Sequence, residues 1–157
     1  MSIKSIFIAL LWIAVFLTIS YFIGQVTREN MGWYDTLAKS QLTPPRIVFP
    51  IVWTALYIMM AVAGSRFWAQ RNDANGRRAL ILFSLYMIIN WAWSFIFFDA
   101  HLVMTGFFWI LLSDLVLGGL IVHLWNHRKR VELALLAPTF LWGVFAAYLN
   151  GYIVFAG

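Results

Sequence analysis

Aromatic side chains with polar neighbours recur at helical spacing in the apolar parts of this sequence. Trp53 and Tyr57 are four residues apart. Two longer stripes, spaced by three and four residues, are Tyr86, Asn90, Trp93 and Phe97, and Pro138, Trp142, Phe145, Ala146 and Leu149. Residues at these spacings share one face of a helix, and lipid disfavours polar groups, so these faces should turn inward. Inward indole, phenol and amide groups are typical of a pocket for a flat apolar ligand.

Asp114 is the strongest single candidate for a functional polar residue, because it lies well inside a long apolar stretch. A carboxylate inside a membrane span is costly and is by default a functional-site hypothesis. The alternative is a structural role, with Asp114 protonated or hydrogen-bonded to Trp, Tyr or Asn on a neighbouring helix. Asn90 has the same two interpretations, and a hydrogen bond between helices is the commoner use of such an amide.

Other chemistries find no support in the residue types present. Cysteine is absent, which excludes thiol catalysis, disulfides and thiolate metal centres. The sequence has no G-x-S-x-G, no H-E-x-x-H and no glycine loop for phosphate, so hydrolase chemistry is not expected. His101, His123 and His127 lie at or near predicted helix ends, with no second ligand at metal spacing, and no metal site is predicted.

The elements that carry the aromatic stripes are long and apolar. The chain has 157 residues, of which 63% are hydrophobic and 11% are charged, and this exceeds what a water-soluble surface tolerates. A spanning helix needs about 20 apolar residues to cross about 30 Å of hydrocarbon. Five stretches qualify, at about 5–25, 47–68, 79–98, 106–125 and 133–155. The sequence therefore predicts one all-α domain, an integral membrane bundle of five transmembrane helices with a long first extramembrane loop.

Basic residues are distributed unequally between the two ends of these helices. Eight belong to one side, namely Lys4, Arg66, Arg71, Arg77, Arg78, Arg128, Lys129 and Arg130, and three belong to the other, namely Arg28, Lys39 and Arg46. Basic loops are retained in the cytoplasm, which predicts an inside N-terminus and an outside C-terminus. The net charge of +5 then reflects orientation, and no nucleic acid partner is expected.

The first loop, about 26–46, is called the lid loop here and is the longest predicted connection. Trp33, Tyr34 and Leu37 give it apolar contacts, and Pro44 and Pro45 stiffen its approach to the next helix. Loops of this length are often functional, so we expect it to fold back over the bundle, with a disordered tether as the alternative. The predicted orientation places the aromatic pocket beneath it. Trp68, Trp109 and Trp125 fall at predicted helix ends and are expected to be interfacial anchors.

Several motifs together resemble a known family. They are WYDTLAKSQLTPP at 33–45, VWTALY at 52–57, NWAWSFIFF at 90–98, Asp114 in the fourth helix and APTFLWGVFAAYLNGYI at 137–153. These residues resemble the tryptophan-rich sensory proteins, the bacterial relatives of the mitochondrial translocator protein (peripheral benzodiazepine receptor). The resemblance covers nearly the whole chain and shares the plan of five helices with a long first loop.

The resemblance implies a protein that binds porphyrins or haem precursors and, in animal relatives, cholesterol and synthetic benzodiazepine-type or isoquinoline ligands. Carried over by position, the pocket consists of Trp33, Pro45, Trp53, Tyr57, Asn90, Trp93, Trp142, Ala146 and Leu149, to which the analysis of polar residues adds Asp114. No basic residue follows Tyr148 or Tyr152, so sterol recognition is not expected. Ser40 stands after Lys39 where relatives often have proline, which should loosen the lid loop slightly.

Three functions are compatible with these residues. The first is a membrane receptor or scavenger for porphyrin or a related tetrapyrrole that modulates porphyrin metabolism or stress signalling. The second is an enzyme that promotes light- and oxygen-dependent porphyrin breakdown, with Trp53 and Trp142 nearest the ring, and the third is a tetrapyrrole transporter. Porphyrin or haem is the ligand in each case, and no further cofactor is required. The resemblance also implies a homodimer in a bacterial membrane, inner or outer.

Overall fold

The computed structural model describes residues 3–156, which form helices and no strand. The helices are α1 (Ile3–Glu29), α2 (Met31–Asp35), α3 (Val48–Ala69), α4 (Ala74–Ser94), α5 (Val103–Asn126) and α6 (Arg130–Ala156), and a π-helical turn, Phe95–Asp99, continues α4. All but α2 are long and apolar enough to cross a membrane. The all-α class and the five spanning helices are therefore confirmed, and the chain is a multi-pass membrane protein.

The helices extend beyond the predicted apolar runs at most ends. Polar turns at a helix end remain hydrogen-bonded to the backbone, although hydropathy does not count them as part of a span. At the start of α4, for example, the Asp73 carboxylate accepts a hydrogen bond of 3.0 Å from the Gly76 N–H and caps the helix. The lid loop is correspondingly more helical than predicted. Its first residues belong to α1 and α2, with Asn30 as a turn between them, and an irregular segment follows at residues 36–47.

The five long helices form a closed ring in the order α1, α3, α6, α5 and α4, with α4 returning to α1 and also touching α3. Met60, Phe83, Leu117 and Leu136 lie at the centre and are at most 1% exposed. Lipid is as apolar as these side chains, so close packing rather than the hydrophobic effect has to hold the ring together. The aromatic side chains discussed below are therefore held by neighbours on several helices.

Polar side chains join α3 to α6 at the end of the bundle that contains the α3–α4 and α5–α6 turns, here called the cationic end. Arg66 Nε and Gln70 Nε2 both donate to Glu132 Oε1, at 3.0 and 2.9 Å. Lys129 Nζ donates to Gln70 Oε1 at 2.5 Å. Glu132 is 2% exposed. Arg66 therefore has a carboxylate partner inside the protein.

The α3–α4 turn depends on a glycine. A Cβ at Gly76 would overlap the backbone oxygen of Gln70, and a backbone atom cannot move aside as a flexible side chain can. Gly76→Ala is therefore expected to lower the free energy of unfolding by about 1 to 3 kcal/mol, the usual cost of overpacking. Thermal unfolding in detergent measures the effect. Gly119→Ala is the matched control, because a Cβ there meets nothing within 4 Å. A Gly76→Ala protein as stable as Gly119→Ala would contradict the prediction.

Candidate functional site

A hydrogen-bonded group in the bundle contains three of the predicted site residues. Asn90 Nδ2 donates to the Tyr57 hydroxyl, and the Tyr86 hydroxyl donates to Asn90 Oδ1, each at 3.4 Å. The Trp53 ring lies 5.8 Å from the Tyr57 ring on the same face of α3. Trp53, Tyr57 and Asn90 are thus brought together. Asn90 makes the bond between helices that the sequence suggested as its commoner role.

A second group lies at the opposite end of the bundle, here called the loop end, and joins the lid loop to α4. Trp93 stacks on Phe97 with ring centroids 5.0 Å apart. Trp33 of α2 contacts the Phe97 ring edge-on, with centroids 5.5 Å apart. Trp93 Nε1 also donates to the Gly106 carbonyl at 3.1 Å. Phe97 therefore lies between the two predicted residues, Trp33 and Trp93. The stripe spacing placed Phe97 on this face, although it was not among the predicted ligand contacts.

Trp142 of α6 belongs to a third group, on the α3 side of the bundle. Its ring lies 6.0 Å from Phe49 and 5.6 Å from Phe145. Trp53 and Trp142 are both half-buried and pack against the same central cluster. Phe49 was missed by the sequence analysis, although its spacing of four residues from Trp53 was the available signal.

The remaining predicted residues have different environments. Leu149 is buried, Ala146 is half-buried and Pro45 is exposed on the lid loop. Asp114 is half-buried, and its Oδ1 occupies the space that a Cβ on Gly143 would need. Asp114 is thus packed against α6, next to the residue that follows Trp142, and its functional and structural interpretations both stay predictions.

The lid loop is folded and attached to the bundle. Ser40 is buried, and its hydroxyl lies 3.0 Å from the Tyr148 hydroxyl of α6. Within the loop, Asp35 pairs with Arg46 and lies 3.7 Å from Lys39. The disordered-tether alternative is therefore wrong. Ser40 anchors the loop through this contact, and the expectation that the loop is looser than one with proline at this position stays a prediction.

Removing the Tyr148 hydroxyl should release this attachment. A hydrogen bond of this kind contributes about 0.5 to 1.5 kcal/mol, so Tyr148→Phe is expected to speed amide exchange of residues 36–47 roughly two- to tenfold. Hydrogen–deuterium exchange read by mass spectrometry measures the change. Tyr152→Phe, one turn later on α6, is the control, because its hydroxyl has no hydrogen bond within the described residues. If the two variants exchange alike in the loop, the attachment does not depend on this hydroxyl.

The tryptophans predicted as interfacial anchors divide into two kinds. Trp68 and Trp125 are 44% and 61% exposed at the cationic end, where Arg71 and Arg130 lie over their rings. Trp109 differs, because its Nε1 donates to the Ile89 carbonyl of α4 at 2.8 Å. Its polar group thus joins two helices instead of facing the headgroups.

Two cavities lie outside the predicted set. One, of about 480 Å³, lies at the loop end between Leu37, Val103 and Ile153. The other, of about 350 Å³ and almost entirely apolar, lies between Trp12 of α1 and Met87 of α4. Neither is lined by any of the ten predicted residues. Within residues 3–156, no three His, Asp or Glu side chains converge as a metal site.

Comparison with known proteins identifies the family to which this chain belongs. The sequence profile described as the TspO/MBR family matches residues 8–156. The chain is 31% identical over 156 residues to the tryptophan-rich protein TspO of Chlorobaculum tepidum, covering 94% of each chain. It is 31% identical to the translocator protein of Bos taurus, over 82% of this chain and 78% of the relative. It is 29% identical to the protein CrtK of Rhodobacter capsulatus, over 76% and 74%. The chain therefore belongs to the TspO/MBR family.

Proposed function

We propose that this protein is a membrane receptor or scavenger that binds porphyrin or a related flat tetrapyrrole and modulates porphyrin metabolism or stress signalling. The observation that carries the proposal is the pair of half-buried indoles, Trp53 and Trp142, on neighbouring helices α3 and α6 and against one central cluster. Indole faces stack on conjugated rings, and a flat ligand needs several such faces to be held. Full burial would leave these faces no room for a ligand.

Polar groups near Trp53 can orient a ligand on this apolar surface. The Tyr57 hydroxyl and the Asn90 amide are already bonded to each other, so they can exchange that long 3.4 Å bond for one to a ligand. The buried Ser40 hydroxyl holds the lid loop to α6, the helix that carries Trp142. The proposed ligand is porphyrin or haem, and synthetic benzodiazepine-type or isoquinoline molecules are further candidates. No additional cofactor takes part in the proposal.

The proposal includes a location. The excess of basic residues at the cationic end favours an inside N-terminus and an outside C-terminus in a bacterial membrane, in contact with its lipids. The lid loop then faces away from the cytoplasm. We further propose a homodimer, from the family resemblance. Reporter fusions at the two termini test the orientation, and both termini on one side would overturn it.

Titration with protoporphyrin IX tests the binding function. Purified protein in detergent is expected to show saturable quenching of tryptophan fluorescence, together with a shift of the porphyrin absorbance that reverses on dilution. Quenching that does not saturate, or that is equal for an unrelated membrane protein of similar tryptophan content, would contradict specific binding.

A porphyrin-degrading enzyme is the second candidate, and the same two indoles favour it. An indole in contact with a photoexcited porphyrin is a chemically reasonable electron donor. Light in the presence of oxygen would then bleach the porphyrin spectrum and yield a new product, whereas binding alone leaves the total porphyrin unchanged. A transporter would instead give net porphyrin flux into sealed liposomes.

A further inference from the structure

The C-terminal end of α5 carries two histidines that the candidate site does not use, His123 in the last turn and His127 directly after it. His123 and His127 are four residues apart and therefore on one face of the helix. Their ring centroids are 4.3 Å apart. His123 is half-buried and His127 is exposed. Both lie at the cationic end, across the bundle from the lid loop.

Hydrogen bonds determine which nitrogen of each ring carries the proton. A carbonyl oxygen only accepts, so the ring nitrogen that faces it must be the donor. His123 Nε2 therefore donates to the Asn75 carbonyl at 3.1 Å, and His127 Nδ1 donates to the His123 carbonyl at 2.8 Å. In the neutral imidazoles this leaves lone pairs on His123 Nδ1 and His127 Nε2. An imidazole that donates one N–H to a carbonyl while the other nitrogen stays free has the arrangement typical of a metal ligand.

The type of ligand indicates the class of metal. The two ring centroids are only 4.3 Å apart, so the rings are close enough for one ion to contact both. Neutral imidazole nitrogen suits Ni²⁺, Cu²⁺ and Zn²⁺, and Cu²⁺ binds such sites the most tightly of the three.

The charges around His123 and His127 also influence which cation can bind. The negative end of the α5 helix dipole favours a cation. Arg128, Lys129 and Arg130 oppose one, although Lys129 is bonded to Gln70 and Arg130 lies over Trp125. Hard ions such as Mg²⁺ prefer oxygen ligands and gain little from imidazole, whereas Cu²⁺ forms strong bonds to neutral nitrogen.

We propose that His123 and His127 form a two-histidine binding site for Cu²⁺. No third His, Asp or Glu joins them within the described residues, so the remaining coordination positions are open to water or an exchangeable ligand. No metal site was predicted here from the sequence, although the spacing of four residues between these two histidines was an available signal. This proposal is independent of tetrapyrrole binding.

Copper titration of protein without an affinity tag tests the site. We expect one Cu²⁺ per chain from CuCl₂, with a tetragonal electron paramagnetic resonance spectrum split by two nitrogens. His127→Gln is expected to weaken Cu²⁺ binding at least about tenfold, since even the loss of a group that only orients a ligand costs that much. His101→Gln is the matched control, because this third histidine lies at the loop end, and it should leave the affinity unchanged.

His127 is exposed, so its replacement should not disturb folding, and circular dichroism of His127→Gln checks this. His123→Gln gives a second measurement if that half-buried replacement also folds. Equal copper affinity in the wild type and His127→Gln would overturn the site, as would an equal loss in His101→Gln. Tighter binding of Zn²⁺ than of Cu²⁺ would overturn the choice of metal.

Discussion

Arg66→Met is expected to lower the free energy of unfolding by about 3 kcal/mol, because it leaves the Glu132 carboxylate buried without its cation. Removing one partner of a buried ion pair costs about 3 to 5 kcal/mol. Glu132 is only 2% exposed, but the Arg66 side chain is 38% exposed and Gln70 still donates to Glu132, so the lower part of that range applies. Thermal and denaturant unfolding in detergent measure the loss.

A nearby arginine and a double replacement test this explanation. Arg71 lies at the same end and stacks on Trp68 without an ion pair within the described residues, so Arg71→Met should cost about 0 to 1 kcal/mol. Arg66→Met combined with Glu132→Leu removes both charges and should recover much of the stability, because the buried charge is then gone. If Arg66→Met is as stable as Arg71→Met, the contact between α3 and α6 is not held by this ion pair.

The double replacement of Trp53 and Trp142 by phenylalanine is expected to weaken protoporphyrin IX binding roughly three- to tenfold. Aromatic stacking contributes about 0.5 to 1.5 kcal/mol per ring beyond the buried area, each 1.4 kcal/mol is tenfold in affinity, and the smaller phenyl ring keeps part of this stacking. Phenylalanine keeps much of the packing against the central cluster, so the fold should persist. Fluorescence of the porphyrin itself measures binding, because the variant loses two of its own reporter tryptophans.

Trp68 and Trp125 provide the matched control. Replacing both by phenylalanine removes the same number of indoles, but at exposed positions at the cationic end, and porphyrin affinity should change little. Equal losses in the two double variants, with both folded, would mean that Trp53 and Trp142 only pack the bundle.

Photobleaching of the Trp53 and Trp142 double variant separates the two candidate functions. Phenylalanine is a much poorer electron donor than tryptophan, so an enzyme should lose more of its bleaching rate at saturating porphyrin than of its affinity. A receptor without this chemistry should show no protein-dependent bleaching in either the wild type or the variant.

Much of the architecture was readable from the sequence alone. Hydropathy located the five spanning helices, because the length of an apolar run and the thickness of the bilayer are local constraints. Helical spacing also identified inward faces, and the Trp53–Tyr57 and Trp93–Phe97 pairs are close in the structure. These pairs are four residues apart, so the helix itself brings them together.

Contacts between distant residues were decided only by the tertiary structure. Ser40 and Tyr148 are 108 residues apart and Arg66 and Glu132 are 66 apart, and no local pattern relates the members of such pairs. The Trp109 indole is a further example, because its partner is a backbone carbonyl on another helix, which no side-chain pattern marks. Hydropathy determines that a helix spans the membrane, but the order of helices around the ring determines which faces meet, and that order follows from the packing of all five together.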